Sequence, residues 1–309
     1  MKILLTGGSS LTGLWFAREM KAQGHNVHCT LTRENLEAYQ GQKSAQRVSL
    51  LAQEFEISLG VEFGSRAFCN HLSQGEFDVI CLHGAHIPDY RSPEFNISES
   101  LAKNLFNIHE VFTLLADRPT PIVLTGTIFE PGEGDAGKPT EAVSPYGFAK
   151  SLIAQTFYYY AKMFGVPMAK FIVPNPVGPL EDKKFTAYLI DTWKKGQVAQ
   201  VKTPLYIRDN IHVQLLAKAY VDLVVGRMRD RRGDLLIARP SGYCESQGDF
   251  TARFAKEMQS RLGIPCRFEL AHQTEFLEPR SRLNSEPALP KHTDFSEKQA
   301  WDQLADFYR

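Results

Sequence analysis

Lys2-Ile3-Leu4-Leu5-Thr6-Gly7-Gly8-Ser9-Ser10-Leu11-Thr12-Gly13 is the stretch that decides the fold. The apolar run ending at Thr6 reads as a short buried strand, and the Gly-Gly-Ser-Ser that follows reads as a tight turn. Beyond it, Leu11, Leu14, Trp15, Ala17 and Met20 recur at roughly helical spacing, and Gly24 stands where a helix C-cap is expected. Residues 26–31 then read as a second strand. Strand, Gly-rich turn, helix and strand within about 30 residues make the building block of a parallel sheet. Glycines in such a turn permit a sharp bend, close approach of backbone to a pyrophosphate, and close packing of helix on strand. Gly7 and Gly13 suit the first and third needs, whereas Ser10 stands where a middle glycine is usual. Its hydroxyl and backbone can still donate, but its Cβ limits how closely a phosphate approaches. The helix start at Leu11 and Thr12 offers N–H groups and a positive dipole end.

The alternation continues outward. Residues 77–82 read as a strand, 98–115 as a helix and 121–125 as a strand. A loop over 130–145 is punctuated by Gly132, Gly134, Gly137, Pro131 and Pro139. A helix over 146–164 and a strand over 169–173 follow. Strand and helix in turn imply an α/β fold with a doubly wound parallel sheet. Residues 34–75 give no legible pattern. From Asn175 the alternation loosens: 216–225 and 249–262 read as helical, 234–238 as extended, 275–293 as a polar loop and 296–307 as a closing helix. The expected division is a dinucleotide-binding unit of 1–174 with 206–238, and a smaller C-terminal substrate-binding unit of 175–205 with 239–309.

Composition narrows the function classes. The 309 residues hold 35 acidic and 35 basic side chains, so the formal net charge is zero. That balance argues against a nucleic-acid binder held by a basic face. No apolar run approaches the ~20 residues of a membrane span, and the one at residues 3–5 is too short for a secretory signal. Cys29, Cys69, Cys81, Cys244 and Cys266 are odd in number and widely spaced, which suits buried free thiols in a reducing cytoplasm and no metal site.

Tyr146-Gly147-Phe148-Ala149-Lys150 carries the chemistry. On a helix, residues four apart share a face. An ammonium beside a phenol lowers the phenol's pKa, and a phenol tuned in this way can trade a proton with an alcohol or ketone. The second strand ends at Thr30-Leu31-Thr32-Arg33. An acidic residue at that tip suits a ribose 2′-hydroxyl, while an arginine suits a 2′-phosphate. Arg33 therefore points to NADP, with NAD as the alternative.

Taken together, these segments resemble the extended short-chain dehydrogenase/reductases, of the NAD(P)-dependent sugar-nucleotide epimerase/dehydratase type, nearly end to end. Thr6 to Gly13 resembles the family's Gly-rich turn. Asp78-Val79-Ile80-Cys81-Leu82-His83-Gly84-Ala85 resembles the strand beneath the cofactor, which implies cofactor contacts at Gly84 and Ala85. Val123-Leu124-Thr125-Gly126-Thr127-Ile128-Phe129 resembles the strand end that carries the catalytic Ser or Thr, here Thr125. Glu141, Pro145, Tyr146 and Lys150 match the tyrosine–lysine motif. Asn175-Pro176-Val177-Gly178-Pro179 and Arg208-Asp209-Asn210-Ile211-His212-Val213 resemble substrate-diphosphate segments, implying contacts at Asn175 and Arg208, with Thr127 nearby.

The resemblance implies a Rossmann fold, a homodimer, and catalysis by Thr125, Tyr146 and Lys150. Dinucleotide contacts are expected at Gly7, Ser10, Leu11, Thr12, Gly13, Arg33, Gly84, Ala85, Tyr146 and Lys150. The family's dehydratases place Asp-Glu after the catalytic threonine; Gly126 and Thr127 stand there instead, so 4,6-dehydration is not expected. A keto-sugar nucleotide reductase is the first reading, an epimerase the second and a non-catalytic NADP sensor the third; a reductase of small aromatic ketones is disfavoured by the Asn175 and Arg208 segments. His83 and His212 are expected to be satisfied by neighbours, and the aromatic run 157–160 to serve as core or dimer surface.

Overall fold

The computed structural model describes residues 1–87, 89, 92–118, 120–134, 141–227 and 235–309. Gly137 and Pro139 of the expected loop, and Asp234 of the expected strand, lie outside the described residues.

The first half builds strands β1 (Lys2–Thr6), β2 (Asn26–Thr30), β3 (Glu56–Ser58), β4 (Val79–Leu82), β5 (Ile122–Thr127) and β6 (Met168–Val173). Between them run helices α1 (Leu11–Ala22), α2 (Ala45–Glu54), α3 (Arg66–Gln74), α4 (Ile97–Asn104), α5 (Ile108–Asp117) and α6 (Pro145–Phe164). The second half adds β7 (Asn175–Val177), α7 (Phe185–Lys194), β8 (Ala199–Val201), β9 (Ile207–His212), α8 (Val213–Val221), β10 (Leu236–Ala238), β11 (Pro240–Ser241) and β12 (Tyr243–Ser246). The chain closes with α9 (Gln247–Leu262), β13 (Phe268–Leu270), β14 (Ser281–Arg282), β15 (Glu286–Pro287) and α10 (Glu297–Tyr308).

Seven strands form one parallel sheet in the order β10-β6-β5-β4-β1-β2-β3. Strand order reverses between β1 and β4, and a crevice opens beyond the carboxyl ends of strands at such a switch point. The β4 sequence Val-Ile-Cys-Leu is buried throughout, as a strand covered on both faces must be. One face packs α1 and α8, with the rings of Phe16 and Tyr220 stacked 3.9 Å apart. The other packs α3, α5 and α6 through Phe68, Phe112 and Phe157. A third core, centred on Trp193, Phe250, Phe254 and Trp301, holds the C-terminal elements together.

Several expectations are corrected. Residues 34–75, silent in sequence, contain α2, β3 and α3. The helix expected over 98–115 is two helices, because Asn107 takes a left-handed conformation at φ 55°. The side chain of Asn104, meanwhile, turns away to bond the backbone of His86. Strand β9 lies in the second sheet beside β7, β12 and β14, and α8 directly after it packs on α1. The five cysteines are free thiols, but Cys244 is exposed and only the other four are buried. No described helix is long and apolar enough to cross a membrane.

Candidate active site

A cleft of about 850 Å³ lies over the switch point, between the large sheet and the C-terminal elements. Its floor is the Gly-rich turn. Gly7 adopts φ +72°, and a Cβ there would meet Gly84 backbone at 2.5 Å. A Cβ on Gly13 would strike the Gly7 carbonyl oxygen at 2.3 Å. Both glycines are thus required by close approach of β1, β4 and α1. Ser10 caps α1: its Oγ accepts from Gly13 N at 3.0 Å, and the helix N-terminus opens toward the cleft through Ser10 and Thr12.

Thr125, at the carboxyl end of β5, is buried with its Oγ1 3.0 Å from His83 Nδ1. Ser144 caps α6 by accepting from Gly147 N, and Pro145 at the first helical position presets its φ. That start projects Tyr146 and Lys150 into the cleft on one helical face. The Tyr146 ring sits between Phe95 and Phe129, with centroids 6.3 and 6.2 Å away. Lys150 is buried, and its Nζ donates to the Thr125 carbonyl at 2.8 Å. Burial presses the Lys150 ammonium below its usual range, with Glu130 opposing and Lys170 adding to the effect. Beneath lies a buried ionic network. Lys170 Nζ meets Glu130 at 2.6 Å and Glu133 at 3.2 Å. Arg239 also binds Glu133, at 2.6 Å, and Glu130 accepts from Thr127 N at 2.8 Å. Gly126 has no space for a side chain: a Cβ would come within 2.8 Å of Glu130, Ile172 and Lys170.

The opposite wall carries two arginines in register on neighbouring strands, Arg208 of β9 and Arg282 of β14. Both approach one carboxylate, Glu278, at 3.2 and 3.4 Å. Arg208 lies over the Tyr206 ring and Arg282 over the Phe129 ring. Burial lowers the pKa of both guanidiniums, Glu278 opposing in each case. Among the described groups nothing completes a hydrogen bond to the buried Arg282 Nη2. One buried and one partly buried cation sharing one half-exposed carboxylate make a site for an anion with more than one negative oxygen.

Of the residues expected at the site, Gly7, Ser10, Thr12, Gly84, Ala85, Thr125, Thr127, Tyr146, Lys150, Asn175 and Arg208 line this one cleft. Leu11 is packed in the core and Gly13 beneath the turn. Arg33 stands apart from the cleft wall, with its guanidinium over Tyr39 and 3.2 Å from Gln42 Oε1. Sequence reasoning missed Arg282. It falls in the segment read as a polar loop, where Arg282 lies on a strand of two residues, so the one available signal was the Arg280-x-Arg282 alternation.

A family model for the NAD dependent epimerase/dehydratase family matches residues 3–230. The chain belongs to that family.

No curated protein sequence matches this epimerase/dehydratase-family chain significantly. Solved structures match it along its whole length. A UDP-glucose 4-epimerase of Stenotrophomonas maltophila, bound to NAD and formylated UDP-arabinopyranose, aligns with TM-score 0.73 at 17% identity, covering 100% of this chain and 98% of that one. The Thermus thermophilus UDP-glucose 4-epimerase in complex with NAD aligns with TM-score 0.69 at 16% identity, covering 100% and 99%. A dTDP-glucose 4,6-dehydratase of Bacillus anthracis in complex with NAD gives TM-score 0.69 at 17% identity, covering 100% and 96%. At these identities the likeness is one of fold.

Proposed function

We propose that this chain is an NAD(P)-dependent oxidoreductase acting on a nucleotide-sugar, in the first place a keto-sugar reductase. The observation that carries this reading is one cleft that holds Thr125, Tyr146, Lys150 and the Gly-rich turn against the paired arginines. The residues fit a dinucleotide: Gly7 and Gly84 pack backbone against backbone, a contact that any Cβ would break, both line the cleft, and the α1 N-terminus there suits an anion. When bound, the dinucleotide supplies or accepts hydride.

The chain's own residues handle the proton. In reduction, Tyr146 gives its phenolic proton to the ketone oxygen; in oxidation, the phenolate takes the proton of a sugar hydroxyl. Lys150 places a cation close by, which favours the ionised phenol, and it offers donors to ribose hydroxyls. Thr125 donates to the reacting oxygen and fixes its position. Groups of this kind contribute roughly 100- to 10,000-fold. Arg208 and Arg282 hold the substrate's diphosphate in place of Glu278, and Asn175 and Thr127 bound the sugar. Residues 175–205 with 239–309 form the substrate-binding part.

Arg33 favours NADP over NAD. The solid packing around Gly126 and the threonine at 127 supply no acid pair, which disfavours dehydration. Epimerisation is the second reading, supported by the UDP-glucose 4-epimerases among the structural neighbours. Phe148, Tyr159 and Met163 expose apolar surface along α6, where a second copy would dock to give a homodimer. Five unpaired cysteines fit a cytoplasmic setting. Incubation with panels of keto and hydroxy sugar nucleotides, with NADPH and NADH in parallel, tests the reading. A reductase consumes one NADPH per keto-sugar. An epimerase interconverts sugars with no net consumption. Turnover of no sugar nucleotide with either cofactor overturns both.

A further inference from the structure

His83 follows β4 and lies on the cleft floor, between the dinucleotide turn and Thr125. Its Nε2 is 2.8 Å from Ser10 Oγ and 3.0 Å from Thr12 Oγ1, and its Nδ1 is 3.0 Å from Thr125 Oγ1. The Phe16 ring packs edge-on against it at 5.1 Å. We infer that His83 is a positioning residue, whose Nδ1–H holds Thr125 with its hydroxyl proton aimed into the cleft and whose Nε2 ties that geometry to Ser10 and Thr12. The inference rests on the proposed role of Thr125.

Proton counting selects the tautomer. Nε2 faces the Thr12 hydroxyl, which has a proton to give, and the Ser10 hydroxyl, whose proton is shared with the Gly7 carbonyl at 3.0 Å; it also faces the N-terminus of α1, whose positive end favours a lone pair over another N–H. Nε2 is therefore the acceptor and Nδ1 carries the hydrogen. Thr125 Oγ1 then accepts from Nδ1–H. Having accepted from Nδ1–H, Thr125 Oγ1 keeps its own proton for an oxygen in the cleft. Burial, reinforced by the charge of Lys150, pushes His83 down to about 3, so the ring remains a neutral relay throughout the working pH range. The arrangement also accounts for Ser10. A glycine there would lack the Oγ that reaches His83, so the departure from the Gly-rich pattern and the histidine form one unit.

The test starts with the full-length wild type. Long-range ¹H–¹⁵N correlation of the histidine rings, with His83 assigned by its loss in His83→Asn, is expected to show a neutral ring protonated at Nδ1 from pH 5.5 to 8.5. The Nε2–H tautomer, or titration within that range, overturns the inference. In Thr125→Val, which removes the oxygen that Nδ1–H serves, the ring resonances should shift toward the other tautomer; unchanged resonances count against the coupling. Kinetics separate this inference from the site reading. His83→Leu should lower kcat about 10- to 100-fold, less than the roughly 100- to 1,000-fold of losing an oriented donor outright, with dinucleotide Kd moved less than about 5-fold and no further loss when combined with Thr125→Val. His83→Asn, whose amide N–H can replace Nδ1–H, should recover much of that loss, and His83→Gln should not. Full activity in Thr125→Val removes the site reading itself. A crippled Thr125→Val beside an unaffected His83→Leu removes only the role of His83.

Discussion

Lys150 Nζ is bound to the main-chain carbonyl of Thr125 at 2.8 Å, so the helix that carries the phenol is fastened to the strand end that carries the hydroxyl. The same threonine is held through its side chain by His83. Helix α6 and strand β5 cannot shift independently, and the distance between the two proton-handling groups is fixed before substrate arrives, which is what positioning catalysis requires. Lys150→Met removes both the tether and the local cation. We expect turnover to fall at least about 100-fold, with weaker dinucleotide binding by fluorescence titration. Unchanged turnover would remove Lys150 from the mechanism.

Tyr146→Phe isolates the phenolic oxygen. The ring environment of Phe95 and Phe129 accepts phenylalanine without rearrangement. Turnover should drop by about 100-fold or more while the dinucleotide still binds with nearly native affinity. Steady-state kinetics beside equilibrium titration check this, and near-normal kcat sinks the proton-transfer role.

Arg282→Met tests the second arginine. Loss of a charge-assisted hydrogen bond costs about 1.5–3 kcal/mol, or roughly 10- to 100-fold in affinity. Because a diphosphate is gripped alike in ground and transition states, the effect belongs in KM, with kcat little changed. Equal loss in kcat would place Arg282 at the reacting centre instead.

The sequence revealed the parts of this site that rest on local physics and hid those that rest on long-range assembly. The turn over residues 6–13 was legible because Gly7 and Gly13 answer steric demands that any strand–turn–helix of this kind makes. The Tyr146–Lys150 pair was legible because helical period alone puts both on one face. Arg282 was not, since it sits on a two-residue strand that pairs with β9, about seventy positions away. Residues 34–75 were opaque because their helices are short and amphipathic only against this particular sheet: in α2 just Arg47, Val48 and Leu51 are buried. Arg47 is an arginine in a buried position, satisfied by the Ser9 and Leu180 carbonyls and Asp182, a solution no hydrophobic pattern announces. The break at Asn107 was hidden because apolar residues continue through it.

Arg33 bears on cofactor choice. It lies at the end of β2, lightly held by Gln42 and the Tyr39 ring, and it is free to swing toward a 2′-phosphate. Arg33→Ser should raise Kd for NADPH at least about 10-fold, the worth of a charge-assisted contact, and leave NADH within about 2-fold. Equal effects on both cofactors would return Arg33 to the status of a loop residue and favour NAD.

His212 gives the protein a pH-dependent stability that is separable from activity. Its ring caps α8, with Nδ1 accepting from Gln214 N at 3.2 Å, and burial pushes its pKa down to about 4, opposed by the Ala300 backbone. In the unfolded chain the ring titrates near ~6.5. Below that pH the unfolded state takes up a proton that the folded state refuses. The contribution is therefore complete above pH ~6.5 and is lost as pH falls toward 4. Between pH 7.5 and 4.5 the loss amounts to roughly 2–3 kcal/mol. His212→Asn keeps an N-cap acceptor, since asparagine is among the best capping residues, and has nothing to titrate. Urea unfolding at pH 7.5, 5.5 and 4.5 should show the variant losing less stability on acidification than the wild type, by up to that amount. Parallel curves for the two proteins would mean that His212 is protonated in the fold and that the ring is reached by water.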